Sequence, residues 1–88
     1  MSYYVYILEC ADKTFYIGST NNLEKRLVVH NFSKAGAKYT KARRPVVLKY
    51  SENLKTKSRA LKREYTLKQL TRTEKMALMK GAILRGKK

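Results

Sequence analysis

Tyr3-Tyr4-Val5-Tyr6-Ile7-Leu8, then the polar stretch Ala11-Asp12-Lys13, then Phe15-Tyr16-Ile17-Gly18: the reading of this segment decides the fold. Both outer runs are aromatic and β-branched, and the short polar gap between them predicts an antiparallel hairpin. Loop length then determines which side chains meet, because strands alternate faces with a period of two and opposed residues share a face. A three-residue loop at Ala11 to Lys13 sets Cys10 against Thr14, Leu8 against Tyr16 and Tyr6 against Gly18. Tyr6 and Tyr16 then become diagonal neighbours on one face. A two-residue loop would send them to opposite faces.

Downstream, Asn21-Asn22-Leu23-Glu24 reads as a helix start, with Asn21 as the cap and Glu24 at the third helical position. The helix is expected to reach Asn31 or Phe32, with Leu23, Leu27 and His30 forming an apolar stripe bordered by Arg26. Residues Ser33 to Pro45 hold Lys34, Lys38, Lys41, Arg43 and Arg44 with no acid, together with Gly36 and Tyr39, and read as a basic loop rather than an element. Val46 to Tyr50 follows as a third strand, and Lys57 to Leu70 as a second helix. Thr71-Arg72-Thr73-Glu74 is a capping box that opens a third, Met-rich helix ending near Gly81. The order is therefore strand, strand, helix, loop, strand, helix, helix, in a single domain over residues 1–82 with a basic tail at 83–88.

A chain of 88 residues has room for one hydrophobic core. Its 21 Lys and Arg against 6 Asp and Glu give a net charge of +15. Such an excess opposes compaction and points to a polyanionic partner. Nucleic acid suits it better than membrane, since no run of about 18 apolar residues and no secretory leader is present. Disorder is disfavoured by 43% hydrophobic residues that include seven Tyr and two Phe. Cys10 is the only cysteine, which excludes an intramolecular disulfide and a cysteine-rich zinc site and suits a reducing cytoplasm. Cys10 reads as a small strand hydrophobe; a Cys-His pair with His30 is the alternative, but nothing in the sequence brings the two together. Residues 45–88 carry a net +10 and residues 1–44 a net +5.

Among residues that could carry chemistry, Glu64 is the most informative acid. Ala60, Leu61, Tyr65, Leu67 and Leu70 spread over one broad face of the second helix, and Glu64 falls inside it. A carboxylate there needs a partner. The bland reading is a salt bridge to Arg63, Lys68 or a neighbouring helix. The sharper one is a ligand for a hard divalent ion such as Mg²⁺, completed by waters and a substrate phosphate. Arg26 is either a solvated helix charge or a bidentate grip on phosphate. His30 is either an edge-of-core histidine or a proton shuttle. Tyr6 and Tyr16 are ordinary strand aromatics unless nearby cations favour a phenolate.

The order and spacing of these residues carry more weight than any one of them. Tyr4-Val5-Tyr6, then Tyr16-Ile17-Gly18, then Arg26, then His30, and Glu64 in a later helix together resemble the GIY-YIG nuclease superfamily, especially its small free-standing bacterial members. The match runs from Tyr3 to about Met79. Tyr4 and Val5 depart from the Gly-Ile of the family's name, while Tyr6 is retained. The resemblance implies an α+β fold, a three-stranded antiparallel sheet flanked by helices (β-β-α-β-α-α). It also implies phosphodiester cleavage with one divalent ion, Mg²⁺ or Mn²⁺. On the same basis Glu64 corresponds to the metal ligand, Arg26 to the phosphate-binding arginine and Tyr6 and Tyr16 to the paired tyrosines. His30 matches a position held by His or Tyr. Ser19 stands where several members have a Lys that assists the base, so the choice between Tyr6 and Tyr16 as base stays open.

The expected activity is thus a metal-dependent, structure-selective nuclease acting on DNA in repair or processing. A rival reading is a non-catalytic module on the same fold, binding DNA or RNA, whose segment of Lys34, Lys38, Tyr39, Lys41, Arg43 and Arg44 clamps phosphates and stacks a base. A third is an accessory subunit that docks on a protein partner through Met76, Leu78, Met79 and Ile83 of the third helix. No element supplies sequence-specific base contacts, so backbone shape or branched and single-stranded structure is the expected recognition feature.

Overall fold

The hairpin forms with the three-residue loop. In the computed structural model, which describes residues 2–32 and 38–85 and the side chains of 2–32 and 40–80, strand β1 (Tyr3–Glu9) pairs antiparallel with β2 (Phe15–Thr20), with Tyr6 opposite Gly18 and Leu8 opposite Tyr16. Beyond the ladder, Cys10 N–H donates to the Thr14 carbonyl and Lys13 N–H to that of Cys10. Lys13 takes the left-handed conformation (φ 72°) that a three-residue hairpin loop demands.

The chain continues through α1 (Leu23–Phe32), a short α2 (Lys38–Lys41), β3 (Val47–Leu54), α3 (Lys57–Lys68) and α4 (Arg72–Arg85). β3 pairs antiparallel with β1 on its other edge, so the sheet order is β2-β1-β3 and β1 is central. Helices cover both faces. Val5, Ile7, Ile17 and Tyr50 pack with Ala60 and Leu67 of α3 and Leu78 and Met79 of α4. Tyr6, Leu8, Cys10 and Val46 pack on the opposite face with Tyr16 and with Leu23 and Leu27 of α1. Burial on both faces is why Val5-Tyr6-Ile7-Leu8 shows no polar alternation. No helix among the described residues is long and apolar enough to cross a membrane.

Several boundaries differ from expectation. The cap of α1 is Asn22, not Asn21: Thr20 Oγ1 accepts the Asn22 N–H, and Asn22 Oδ1 accepts that of Lys25. Glu24 therefore sits one position too early for a capping box. Part of the expected basic loop is helical, at Lys38–Lys41, in a turn too short to show an apolar period. β3 begins one residue later than expected and runs on to Leu54. Its second half was hidden by Glu52, a charged residue on the core-facing side that is neutralised there by Arg63. A register shift between Ile7 and Leu8 lets Lys49 bulge from the ladder. α3 stops at Lys68, short of Leu70. α4 opens with the expected box, Thr71 Oγ1 accepting the Glu74 N–H and Glu74 Oε1 that of Thr71. It then passes Gly81 and ends at Arg85, so residues 83–85 of the expected tail are helical; a lone glycine costs a helix only about 1 kcal/mol and need not end it. Residues 86–88 lie outside the described ones.

Two long-range ties orient the elements. Arg63 of α3 donates from Nε and Nη2 to the two carboxylate oxygens of Glu52 on β3 at 2.7 and 2.8 Å, and Tyr50 also donates to Glu52. At the other end, Arg72 of α4 lies over the Phe15 ring and donates to the Lys13 carbonyl.

Candidate active site

Period two puts Tyr6, Tyr16 and Gly18 on the α1 side of the sheet, and α1 lays His30 against them. Both tyrosine rings meet the imidazole edge-on, with centroids 5.9 Å (Tyr6) and 5.1 Å (Tyr16) away. The Tyr6 hydroxyl lies 2.9 Å from His30 Nε2, and His30 Nδ1 lies 2.8 Å from Thr40 Oγ1. All three residues are buried, Thr40 completely. The result is a hydrogen-bonded line, Tyr6–His30–Thr40, drawn from a strand, a long helix and a short one.

Gly18 makes room for it. A Cβ built on Gly18 would fall 2.5 Å from the Tyr6 hydroxyl oxygen and 2.8 Å from its ring carbon Cζ. The glycine of the Tyr-Ile-Gly motif thus lets the Tyr6 phenol lie across the neighbouring backbone. Its φ is not positive, so the requirement is space and not backbone conformation.

The electrostatics are those of a neutral site. Burial, then the cations Arg26 and Arg44, hold His30 below the usual imidazole range, leaving it uncharged at neutral pH. Tyr6 is pushed up well beyond an ordinary phenol, first by burial and then by Tyr16; Arg26 opposes the rise and Glu64 adds to it. The condition for a phenolate, nearby cations that favour it, is therefore not met at Tyr6 at rest, because desolvation outweighs Arg26.

Arg26 is exposed and borders two depressions. One, of about 10 Å³, is enclosed by Tyr6, Leu8, Leu23, Leu27, His30 and Leu48. The other is an open hollow of about 300 Å³ shared with Thr20, Asn21, Asn22, Lys25 and Val29. Glu64 comes from α3, on the far side of the sheet from α1, yet its charge is felt at Tyr6. Its side chain is 18% exposed and its carboxylate receives Lys68 Nζ at 2.8 Å, so the salt bridge of the bland reading exists. No group of three or more His, Cys, Asp and Glu side chains is gathered among the described residues. One carboxylate on a half-buried side chain, paired with a lysine whose side chain is half exposed, still fits a hydrated hard cation, which commonly takes one or two protein oxygens.

The basic segment is built into this site. Arg44 Nε donates to the His30 carbonyl at 2.6 Å and its Nη2 to that of Val29 at 3.3 Å, closing the C-terminal end of α1. Arg43 pairs with Asp12 at 2.9 Å, and its carbonyl accepts the Ala11 N–H, tying the segment to the hairpin loop. Asn31 exchanges two hydrogen bonds with the backbone of Val46. Arg43 and Arg44, read from sequence as phosphate contacts, thus spend these donors inside the chain. Lys41 is exposed. Lys34 and the side chains of Lys38 and Tyr39 lie outside the described residues.

The sequence reading missed Thr40, Asn31 and the anchoring by Arg44. No local pattern marks Thr40, whose partner His30 lies ten residues away in another element. It also placed Leu61 and Tyr65 in the buried face of α3. They are 49% and 68% exposed, because only Ala60 and Leu67 of that helix meet the sheet fully.

The profile described as the GIY-YIG catalytic domain matches residues 2–77. A UPF0213 protein of Syntrophus aciditrophicus is 57% identical over 77 residues, covering 88% of each chain. One of Clostridium perfringens is 53% identical over 76 residues, covering 86% of this chain and 81% of that one. Two structures solved by NMR in solution are similar, each at 40% identity. The UPF0213 protein of Bacillus halodurans has a TM-score of 0.58 over 91% of this chain and 84% of its own. A protein of E. faecalis has a TM-score of 0.63 over 94% and 88%. The Tyr6, Tyr16, Gly18, Arg26 and His30 positions all fall within the matched span and lie on the α1 side of the sheet, with Ile17 between them turned into the opposite core: the chain belongs to the GIY-YIG family.

Proposed function

We propose that this chain is a divalent-metal-dependent nuclease that hydrolyses phosphodiester bonds in DNA, selecting structure rather than sequence, in repair or processing within the cytoplasm. The observation that carries this reading is the buried Tyr6–His30–Thr40 line beside Arg26. Isolated core tyrosines do not need such a line.

Neutral His30 can donate from only one ring nitrogen. With Nδ1–H donating to Thr40, Nε2 accepts the Tyr6 hydroxyl, and the phenolic oxygen keeps its lone pairs for an attacking water. As the water loses a proton to Tyr6, Tyr6 passes its own to His30, so a free phenolate, disfavoured by burial, never accumulates. Tyr16 packs on the same imidazole and limits its movement. Arg26, exposed beside this line, binds the phosphate and stabilises its equatorial oxygens. Glu64, with Lys68 displaced, would hold the Mg²⁺ or Mn²⁺, whose chemistry when bound is to neutralise charge building on the leaving 3′ oxygen.

The test is a nicking assay on plasmid, flap and single-stranded substrates, run with Mg²⁺, with Mn²⁺ and in EDTA. Glu64→Ala and Arg26→Ala are each expected to abolish metal-dependent cleavage. Full Mg²⁺-dependent activity in both overturns the assignment. Tight binding that is unchanged by EDTA, with no product on any substrate, would instead support the non-catalytic DNA- or RNA-binding module.

A further inference from the structure

α3 carries an exposed apolar pair that the core does not use. Leu61 and Tyr65 stand one helical turn apart, at 49% and 68% exposure. At about 100° per residue, Glu64 borders the buried stripe of Ala60 and Leu67; Lys57, Lys68, Leu61 and Tyr65 follow in that order going further round, with Lys62 beyond. Arg63 marks the opposite border and is held by Glu52 of β3. The Leu61–Tyr65 surface therefore lies on the side of α3 away from β3, continuous with Glu64, whose charge reaches Tyr6.

We infer that this surface binds an unpaired segment of the substrate strand, with Tyr65 stacking on one base and Leu61 packing beside it. The inference rests on the nuclease reading for its location but not for its test. Three features favour nucleic acid over a protein partner. The patch is two side chains wide, far below the area of a stable protein interface. It is rimmed by the exposed Lys57 and Lys62 in a chain of net charge +15, which complements a phosphate backbone. An exposed aromatic ring among cations is the arrangement by which single strands are held without sequence preference. The glutamate next to it is balanced by Lys68, so the patch repels neither phosphate nor base. Duplex bases are stacked on each other and offer no free face, so the surface selects unpaired strands.

The experiment is fluorescence anisotropy in EDTA with labelled oligo-dT, oligo-dU, oligo-rU and a blunt DNA hairpin closed by a base-free ethylene glycol spacer, using the full chain and its Tyr65→Ala, Tyr65→Phe and Leu61→Ala variants. Tyr65 is exposed, so its loss leaves the fold intact. Tyr65→Ala is expected to weaken binding of the single strands by about fivefold to a hundredfold and of the hairpin by less than about twofold, with Tyr65→Phe close to the parent. Equal affinities for parent and Tyr65→Ala on single strands, or an equal loss on the hairpin, overturn the proposal. So does a change in sedimentation behaviour of Tyr65→Ala without a change in single-strand affinity, which would assign the patch to a second protein chain. Because the readout needs no cleavage, inactivity of the parent enzyme would remove the nuclease reading and leave the stacking surface standing. A difference between oligo-dU and oligo-rU, which carry the same base, tells which sugar the strand carries.

Discussion

Gly18 lies directly across the ladder from Tyr6, and the Tyr6 phenol occupies the space that any side chain at position 18 would need. Gly18→Ala must therefore push the Tyr6 ring away from His30 Nε2. We expect this variant to fold, with a stability loss of about 1–3 kcal/mol from overpacking, and to lose cleavage far more completely than stability. Urea denaturation beside the nicking assay checks this; parent-like cleavage would show that the Tyr6–His30 contact is dispensable.

Thr40 fixes the histidine from behind. Thr40→Val keeps the volume but leaves His30 Nδ1 buried without its 2.8 Å partner, at a cost of about 1–3 kcal/mol. It also frees the imidazole to adopt the tautomer that cannot accept from Tyr6. A fall in turnover of about tenfold to a hundredfold is expected, with the acid limb of the pH–rate profile displaced, and Thr40→Ser should restore both. A merely structural role for Thr40 would lower stability without moving that limb.

His30 and Tyr6 also bound the pH range of stability. His30 is held below its unfolded value of about 6.5 by burial and by Arg26 and Arg44. As pH falls from about 6.5 towards the lower folded value, the unfolded chain takes up more protons than the folded one, and stability declines. Tyr6 is raised instead, so stability declines as pH rises above its unfolded value of about 10. Urea midpoints measured between pH 7.5 and 5 should fall for the parent and fall less for His30→Gln. Equal slopes would remove His30 as the source.

The Glu52–Arg63 pair holds α3 to β3, and with it the placement of Glu64. Glu52→Ala should cost about 1.5–3 kcal/mol, the range for hydrogen bonds to charged groups, or roughly 4–8 °C in Tm per kcal/mol for a chain of this size. Calorimetry measures it. A loss below about 0.5 kcal/mol would place the pair among ordinary exposed ion pairs.

Nonspecific affinity should be strongly salt-dependent. If about six cations contact duplex phosphates, log K falls with log salt at a slope near −5. Arg43 and Arg44 are engaged within the chain, so Ala variants at exposed Lys57 and Lys62 should lower that slope by about one each. Anisotropy titrations from low to moderate salt decide it, and an affinity insensitive to salt would sever the net charge from substrate binding.

Local physics made much of this protein legible in its sequence. The hairpin register followed from a three-residue loop and the period of two, and with it came the shared face of Tyr6 and Tyr16. The order of strands and main helices followed from apolar runs and the Thr71 capping box, signals carried within a few residues of chain. What the tertiary structure decided lies between residues distant in sequence. Thr40 became part of the site only because α2 folds back onto His30, and Arg44 turned from a free cation into the cap of α1 for the same reason. Glu52 could stand on a core-facing strand position only because Arg63 meets it from α3. The exposure of Leu61 and Tyr65 was undecidable from the helix alone: an apolar pattern states which side chains can be buried, but the width of the buried stripe depends on how much of the helix the sheet covers.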